Sequence, residues 1–242
     1  VDRMGADAVR VRMLSKAPVE VSNSFAAQGG VAAVIRSDDS FEQHVRDTLT
    51  VGAGGNYPKV VRLVVGEGPS LIHGLIGIGA HFDADAKGHL QLAREGGHST
   101  ARVVHRRDFT GAEIVRVLRD RVRSSPAIQV LDDQRAMDLL TAGDGETRRC
   151  IGVRSLDLRN GDVVDLFAAA VVVATGGAGQ VYQHNTNPIG ATGDGVAMAI
   201  RAGVPLRDMA FVQFHPTALY TEATGQAFLI SEAVRGAGAR LI

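Results

Sequence analysis

Seven residues in the second half of the chain, Ala168-Ala-Ala-Val-Val-Val-Ala174, contain no polar side chain and run directly into Thr175-Gly-Gly-Ala-Gly179. A strand with one wet face alternates apolar and polar residues. A short, continuously apolar run instead predicts a strand covered on both faces, as in the middle of a parallel sheet. Glycines at the end of such a strand let backbone N–H groups approach a ligand beyond its carboxyl end. The expectation is an α/β fold, with helices on both faces of the sheet.

The rest of the chain reads consistently with that frame. Val9 to Leu14 and Val31 to Ile35 are strand-like. Ser40 can cap a helix over about Phe41 to Val51. Pro58 suits the first turn of a second helix, whose apolar face (Val60, Leu63, Val64, Leu71, Leu75, Ile78) is interrupted by Gly66-Glu67-Gly68-Pro69, where a kink or break is expected. Leu90 to Arg107 follows neither period. Thr110 opens a helix that Ser124-Ser125-Pro126 stops. Ile128 to Leu131, Ala136 to Leu140 and Ile151 to Leu158 are predicted strands, and Asn160-Gly161-Asp162 signals a hairpin. Residues 131–167 therefore form a small antiparallel insert. A helix is expected from about Gly193 to Ala202, ending at Gly203.

Composition narrows the function classes. The 26 basic and 26 acidic side chains cancel, so no overall field favours nucleic acid or an anionic membrane. An anionic ligand must be held by a few placed groups. Cys150 is the single cysteine; it completes neither a disulfide nor a metal set and fits a reducing compartment. No continuous apolar run reaches the roughly 18 residues of a membrane span.

Five segments carry groups suited to binding or chemistry. Lys16 to Gly30, with its core Ser22-Asn23-Ser24-Phe25-Ala26-Ala27-Gln28-Gly29-Gly30, offers backbone donors, hydroxyls and one ammonium, or is an ordinary Gly/Ser loop. Thr175 to Gly179 is the strand-end turn. Ala191-Thr-Gly-Asp-Gly-Val-Ala-Met-Ala199 puts Thr192 or Asp194 at a helix N-terminus, where Asp194 is either a cap or part of a cofactor pocket. Arg94-Glu-Gly-Gly-His-Ser99, followed by Arg102, His105 and Asp108, packs titratable groups beside two glycines. It is either a solvated loop or a ligand site, with no metal implied. His215, between Phe214 and Pro216 in an apolar, strand-like run, is either a core histidine or a donor to a substrate carboxylate.

The order of these segments is more specific than any one of them. Ser-Lys-x-Pro, Ala-Gln-Gly-Gly, Arg-Glu-Gly-Gly-His-Ser, Ala-Thr-Gly-Gly-Ala-Gly-x-Val-Tyr, Thr-Asn-Pro, Gly-Asp-Gly-x-Ala-Met-Ala and Gln-Phe-His-Pro-Thr-Ala-Leu-Tyr follow one another from about Met13 to the end. That succession resembles the succinate dehydrogenase/fumarate reductase flavoprotein family, and within it the aspartate oxidase branch. The resemblance implies a Rossmann-like FAD-binding domain with a small β insert over residues 1–215, and the start of an α+β capping domain over 216–242. It also implies that the family's amino-terminal strand and G-x-G-x-x-G loop, and the later segments that supply its catalytic arginine, are not in this chain. The 242 residues alone are accordingly expected to be inactive.

The resemblance assigns roles residue by residue. Lys16, Asn23, Ser24, Phe25, Ala26, Ala27, Gln28, Gly29, Gly30, Ala136, Thr175, Gly176, Gly177 and Asp194 match cofactor-contacting positions for FAD. Asn23 stands where respiratory members have the histidine that attaches FAD covalently, so non-covalent binding is implied. Glu95 is the residue that the dicarboxylate-oxidising members lack. Aspartate is succinate with an added α-ammonium, and a carboxylate attracts that cation while repelling the plain dianion. Glu95, His215 and Thr217 are thus the implied substrate-binding residues, with Glu95 and His215 closest to the chemistry. The implied reaction is oxidation of L-aspartate to iminoaspartate with oxygen or fumarate as acceptor. It is the first step of NAD biosynthesis, in the cytoplasm, with quinolinate synthase downstream. The alternatives are a fumarate reductase or succinate dehydrogenase flavoprotein subunit, or a non-catalytic flavoprotein piece.

Overall fold

The computed structural model describes residues 9–215, 217–219, 225–231, 234 and 238–240. In chain order its main elements are β1 (Val11–Ser15), α1 (Asn23–Ala26), β2 (Val31–Ala32), α2 (Phe41–Val51), α3 (Pro58–Gly77), β3 (Leu92–Ala93), β4 (Val103–Val104) and α4 (Thr110–Ser124). They continue with β5 (Ile128–Asp132), β6 (Gln134–Ala142), β7 (Arg149–Asp157), β8 (Val163–Phe167), β9 (His184–Asn185), α5 (Asp194–Arg201) and β10 (Gly225–Gln226). The chain divides into two compact units: Val1–Asn23 with Val122–Leu229, and Ser24–Arg121 with Ile230–Ile242.

In the first unit β1 and β5 pair in parallel, from Val11 opposite Ile128 to Ser15 opposite Asp132. The expected antiparallel insert is β6–β7–β8, with Gln134 opposite Asp157 and Leu156 opposite Val163. Its β7–β8 turn is the predicted Asn-Gly-Asp: Gly161 takes φ +80°, and the Asn160 Oδ1 accepts the Asp162 N–H at 3.0 Å. Gly152 is the tight point of this sheet, because a Cβ there would come within 2.3 Å of the Leu166 carbonyl oxygen.

The second unit is built on α2 and α3. Ser40 caps α2, its hydroxyl accepting the Gln43 N–H at 3.2 Å. Val45 of α2 packs with Val61 and Val65 of α3, supported by Leu49. A second cluster joins Ala33, Ile72, Ala80, Phe82, Val104 and Val117. Each fully buried valine or isoleucine there contributes about 1.5–3 kcal/mol. The short strands β2, β4 and β3 form an antiparallel ribbon beside that cluster.

Four expectations change. Helix α3 runs from Pro58 through Pro69 to Gly77 without ending at Gly66–Pro69. Proline removes one backbone donor, and the buried row Val61, Val65 and Ile72 holds both halves on one face. Its length and apolar composition also suffice for a membrane span. Only Val61, Val65 and Ile72 of this helix are buried, and its open side carries Val60, Leu63, Val64 and Leu71 together with Arg62 and Glu67. The strand expected over Val31 to Ile35 is only Val31–Ala32. Ala168 to Ala174 forms no strand among the described residues, and Val172 is 88% exposed. Sheet burial requires hydrogen-bonded neighbours, and beyond Ala168, whose N–H reaches the Ile151 carbonyl at 2.9 Å, none is found for this segment. Phe211 to His215 is likewise not a strand, with Phe214 86% exposed. The capping domain expected over 216–242 falls partly outside the described residues.

Candidate functional site

In the first unit the predicted cofactor residues Lys16 and Asp194 meet. The Lys16 ammonium donates to Asp194 Oδ2 at 2.7 Å and to the Thr192 hydroxyl at 2.6 Å, and that hydroxyl donates to Asp194 Oδ1 at 2.7 Å. Arg135 approaches the same carboxylate at 3.5 Å. Asp194 therefore does not cap α5. The helix begins after Gly193 in the left-handed region, φ +74°, and the Asp194 side chain serves the ion pair. Burial by itself would raise the Asp194 pKa, but the bonds from Lys16 and Thr192 outweigh it and hold the carboxyl below its ordinary range. A shallow cleft of about 410 Å³ is lined by Arg135, Ala136, Asp194 and Arg201 among others, so Ala136 joins this group.

The predicted glycine turn lies against the same helix start. A Cβ on Gly195 would sit 2.0 Å from the Thr175 hydroxyl oxygen and 2.8 Å from Val173 Cγ1, and the Gly193 N–H donates to the Gly177 carbonyl at 3.1 Å. Gly176, with φ +72°, and Gly177 have no atoms within 4 Å of where a Cβ would stand. Their open backbone, next to a lysine and a helix N-terminus, suits a phosphate-bearing ligand. Asn23 donates its amide to Asn187 Oδ1 at 2.9 Å. Also in this unit, the Thr217 N–H donates to His215 Nδ1 at 3.3 Å. His215 is half-buried and Thr217 is buried, so His215 is not a core histidine.

The second unit holds the remaining predicted residues. The loop carrying Ser24, Phe25, Ala26, Ala27, Gln28, Gly29 and Gly30 is clamped by α4. The Gly111 N–H donates to the Ala27 carbonyl at 3.0 Å, and a Cβ on Gly111 would lie 2.0 Å from the Ser24 carbonyl oxygen. A Cβ on Gly30 would come within 2.3 Å of the Val104 carbonyl oxygen. Gly29 is different: the atoms nearest to a Cβ there belong to Glu95, whose two carboxylate oxygens would lie at 3.4 and 3.6 Å. The glycine loop and the predicted ammonium-binding residue are thus direct neighbours.

Reading Arg94 to Asp108 as a solvated loop fails at Arg102, which is fully buried. Its guanidinium forks onto Asp39 at 2.9 and 2.8 Å and reaches Asp47 at 2.6 Å. Burial opposes ionisation of Asp47, yet the Ser99 backbone N–H and hydroxyl, and then Arg102, bring its pKa down to about 2. Burial, reinforced by the Arg102 cation, lowers the pKa of both His44 and His98. Asp39, His44 and Asp47 were not singled out in the sequence. The available signal was the spacing of Gln43, His44 and Asp47, which places three polar groups on one side of an amphipathic helix.

Taken with the fold, these sites define a flavoprotein domain. The FAD binding domain model matches residues 4–242, and the chain belongs to that family. FAD is accordingly its cofactor. The chain is 47% identical over 243 residues to L-aspartate oxidase 1 of Ralstonia nicotianae, covering 98% of this chain and 45% of that protein. It is also 47% identical over 236 residues to the chloroplastic L-aspartate oxidase of Arabidopsis thaliana, covering 94% and 36%. Among solved structures it matches E. coli quinol fumarate reductase FrdA with a TM-score of 0.88 and 36% identity, over 95% of this chain and 38% of that one. Mycobacterium smegmatis Sdh1 matches with a TM-score of 0.82 and 32% identity, over 94% and 40%. The chain thus spans less than half the length of the relatives it matches.

Proposed function

We propose that the intact protein oxidises L-aspartate to iminoaspartate, with non-covalently bound FAD and with oxygen or fumarate as the electron acceptor. The observation that carries this reading is the Glu95 carboxylate beside Gly29. Among the described residues that carboxylate has no ion-pair partner, which leaves it available to a substrate α-ammonium. An aspartate oxidase needs that group, and an enzyme for succinate is hindered by it.

The residues present fit the cofactor. Gly176 and Gly177 offer open backbone beside Lys16 and Asp194 in one unit, and the Ser24 to Gly30 loop carries further backbone and hydroxyl donors in the other. Asn23 has an amide where covalent attachment would need a nucleophilic imidazole, and that amide is engaged by Asn187. Bound FAD would supply the two-electron oxidant that accepts the hydride from the substrate α-carbon. Glu95 binds and orients the ammonium. His215, whose Nδ1 accepts the Thr217 N–H, presents Nε2 as a donor for a substrate carboxylate, and Thr217 holds the ring in that orientation. Residues 1–215 are assigned to the FAD-binding domain and 216–242 to the start of the capping domain. A cytoplasmic location, and delivery of iminoaspartate to quinolinate synthase for NAD synthesis, belong to the same proposal.

The test is Glu95→Gln in the intact protein, with aspartate oxidation and fumarate reduction measured side by side. The kcat/KM for aspartate should fall about a hundredfold, as expected for losing a charge-assisted contact of about 2–3 kcal/mol. Fumarate reduction should change by less than about threefold. Equal losses on both substrates would remove Glu95 from ammonium recognition.

A further inference from the structure

The Glu95 carboxylate makes no hydrogen bond of its own among the described residues, so its position is set by the loop that carries it. That loop is closed locally: the His98 N–H donates to the Glu95 carbonyl at 3.3 Å, and Arg94 Nε donates to the His98 carbonyl at 3.0 Å. Its far end is tied down through Ser99, whose backbone N–H and hydroxyl both donate to Asp47 Oδ2, at 2.9 and 2.7 Å. The Gln43 amide donates to the same hydroxyl at 2.7 Å.

Asp47 is in turn held by Arg102, which also grips Asp39 with two parallel bonds. The side-chain exposures of Arg102, Asp39 and Asp47 are 0, 2 and 15%. Taking one cation and two anions out of water is costly, and a well-packed apolar trio would serve stability as well. What the ionic arrangement adds is direction. A planar fork accepts its carboxylates in one geometry, whereas apolar contacts tolerate sliding. Arg102 also lies 3.4 Å from His98 Nδ1, and the His98 ring meets His44 edge-on at 5.6 Å between centroids. Every member of the network is therefore one or two contacts from the turn bearing Glu95.

We propose that Arg102 is a positioning residue for substrate recognition: through Asp47, Ser99 and His98 it fixes the turn that holds the Glu95 carboxylate against Gly29, and so sets selectivity for an α-amino dicarboxylate over a plain one. The proposal rests on the ammonium-binding reading of Glu95. Arg102 touches no substrate atom. Its contribution appears in how well Glu95 is aimed, and hence in aspartate affinity.

The experiment uses Arg102→Lys, which keeps the charge and loses the fork, and Ser99→Ala, which removes one tie to Asp47 and leaves the backbone tie. Both are made in the intact, FAD-loaded protein beside Glu95→Gln. Aspartate affinity, read from the flavin absorbance change on binding, should weaken about tenfold for Arg102→Lys and about threefold for Ser99→Ala, with kcat within about twofold. The KM for fumarate should stay within about twofold. Backbone amide exchange over residues 95–99 should accelerate in both variants while exchange in α5 is unchanged. Unaltered aspartate affinity, or equal weakening toward aspartate and fumarate, in variants that keep their FAD overturns the proposal. If Arg102→Lys fails to fold, Ser99→Ala decides alone by the same criteria. If Glu95→Gln itself leaves aspartate preference intact, the reading of Glu95 fails first. If Glu95→Gln abolishes the preference and the other two variants do not alter it, only the positioning role of Arg102 falls.

Discussion

At the scale of single residues, the Arg102 cluster makes stability depend on pH in two windows. His44 and His98 have folded pKa values below their ordinary 6.5, because His44 is buried, His98 is half-buried and both face the Arg102 cation; Asp39, Asp47 and, for His98, Glu95 pull the other way with less effect. A depressed pKa means that the unfolded chain takes up the proton first. The stability of the neutral rings is therefore complete above about pH 6.5 and declines as pH falls through their folded values. Asp47, with an ordinary value of 3.8 lowered to about 2, contributes stability that is present above about pH 4 and lost as the pH approaches 2. A thermal-melting series should show Tm falling between pH 7 and 5, and again below pH 4. His44→Phe removes one ring along with its buried, unbonded Nδ1 and should flatten the first decline; an unchanged slope in that variant would contradict the assignment.

At the scale of elements, α2 is the most consequential helix, because it carries the Gln43, His44 and Asp47 face and supplies Val45 to the core. Its start depends on Ser40, whose hydroxyl accepts one of the free N–H donors of its first turn. Ser40→Ala should cost about 1 kcal/mol, and it should do so without changing the flavin spectrum, since the Ser40 hydroxyl bonds to the first turn of α2. The check is a denaturant titration in which the midpoint drops while the slope stays constant. A midpoint equal to that of the parent would show that α2 is fixed by packing alone. Helix α3 gives the complementary lesson. Glycine and proline at 66, 68 and 69 mark a break by local preference, yet the helix continues because three buried side chains lie on one stripe across the interruption. Burial of that stripe outweighs the loss of one backbone hydrogen bond.

At the scale of the whole chain, the formal charges sum to zero while apolar surface remains open. Val172, Val173 and Val181 are exposed around the glycine turn, and Val60, Leu63 and Val64 are exposed on α3. A strand-forming segment with unpaired backbone and no net charge to keep molecules apart favours edge-to-edge association. The 242-residue chain should therefore scatter light increasingly with concentration near neutral pH. Val172→Lys, at a fully accessible site, should reduce that scattering without altering the circular dichroism spectrum. Undiminished scattering would place the association elsewhere, with the α3 face the next candidate.

Much of the local architecture was legible in residue order. The Asn-Gly-Asp hairpin, the Ser40 cap, the Pro58 helix start and the three antiparallel strands each follow from interactions within a few residues. The glycine turns were legible for the same reason, and Lys16, Asp194 and Glu95 were named as binding candidates on the same ground, as backbone freedom and charge are properties of a residue and its neighbours. Three things were decided only by tertiary structure. Whether Ala168 to Ala174 is a strand depends on a hydrogen-bonding neighbour, which an apolar pattern requests but does not provide. Whether Glu95 has a defined place depends on Gly29, 66 positions away in sequence. Whether Arg102 is a surface charge or a buried anchor depends on Asp39 and Asp47 arriving from α2 and its preceding turn. A sequence encodes which groups need partners; the fold determines which partner each one gets, because pairing over long sequence separations is a property of the packed chain.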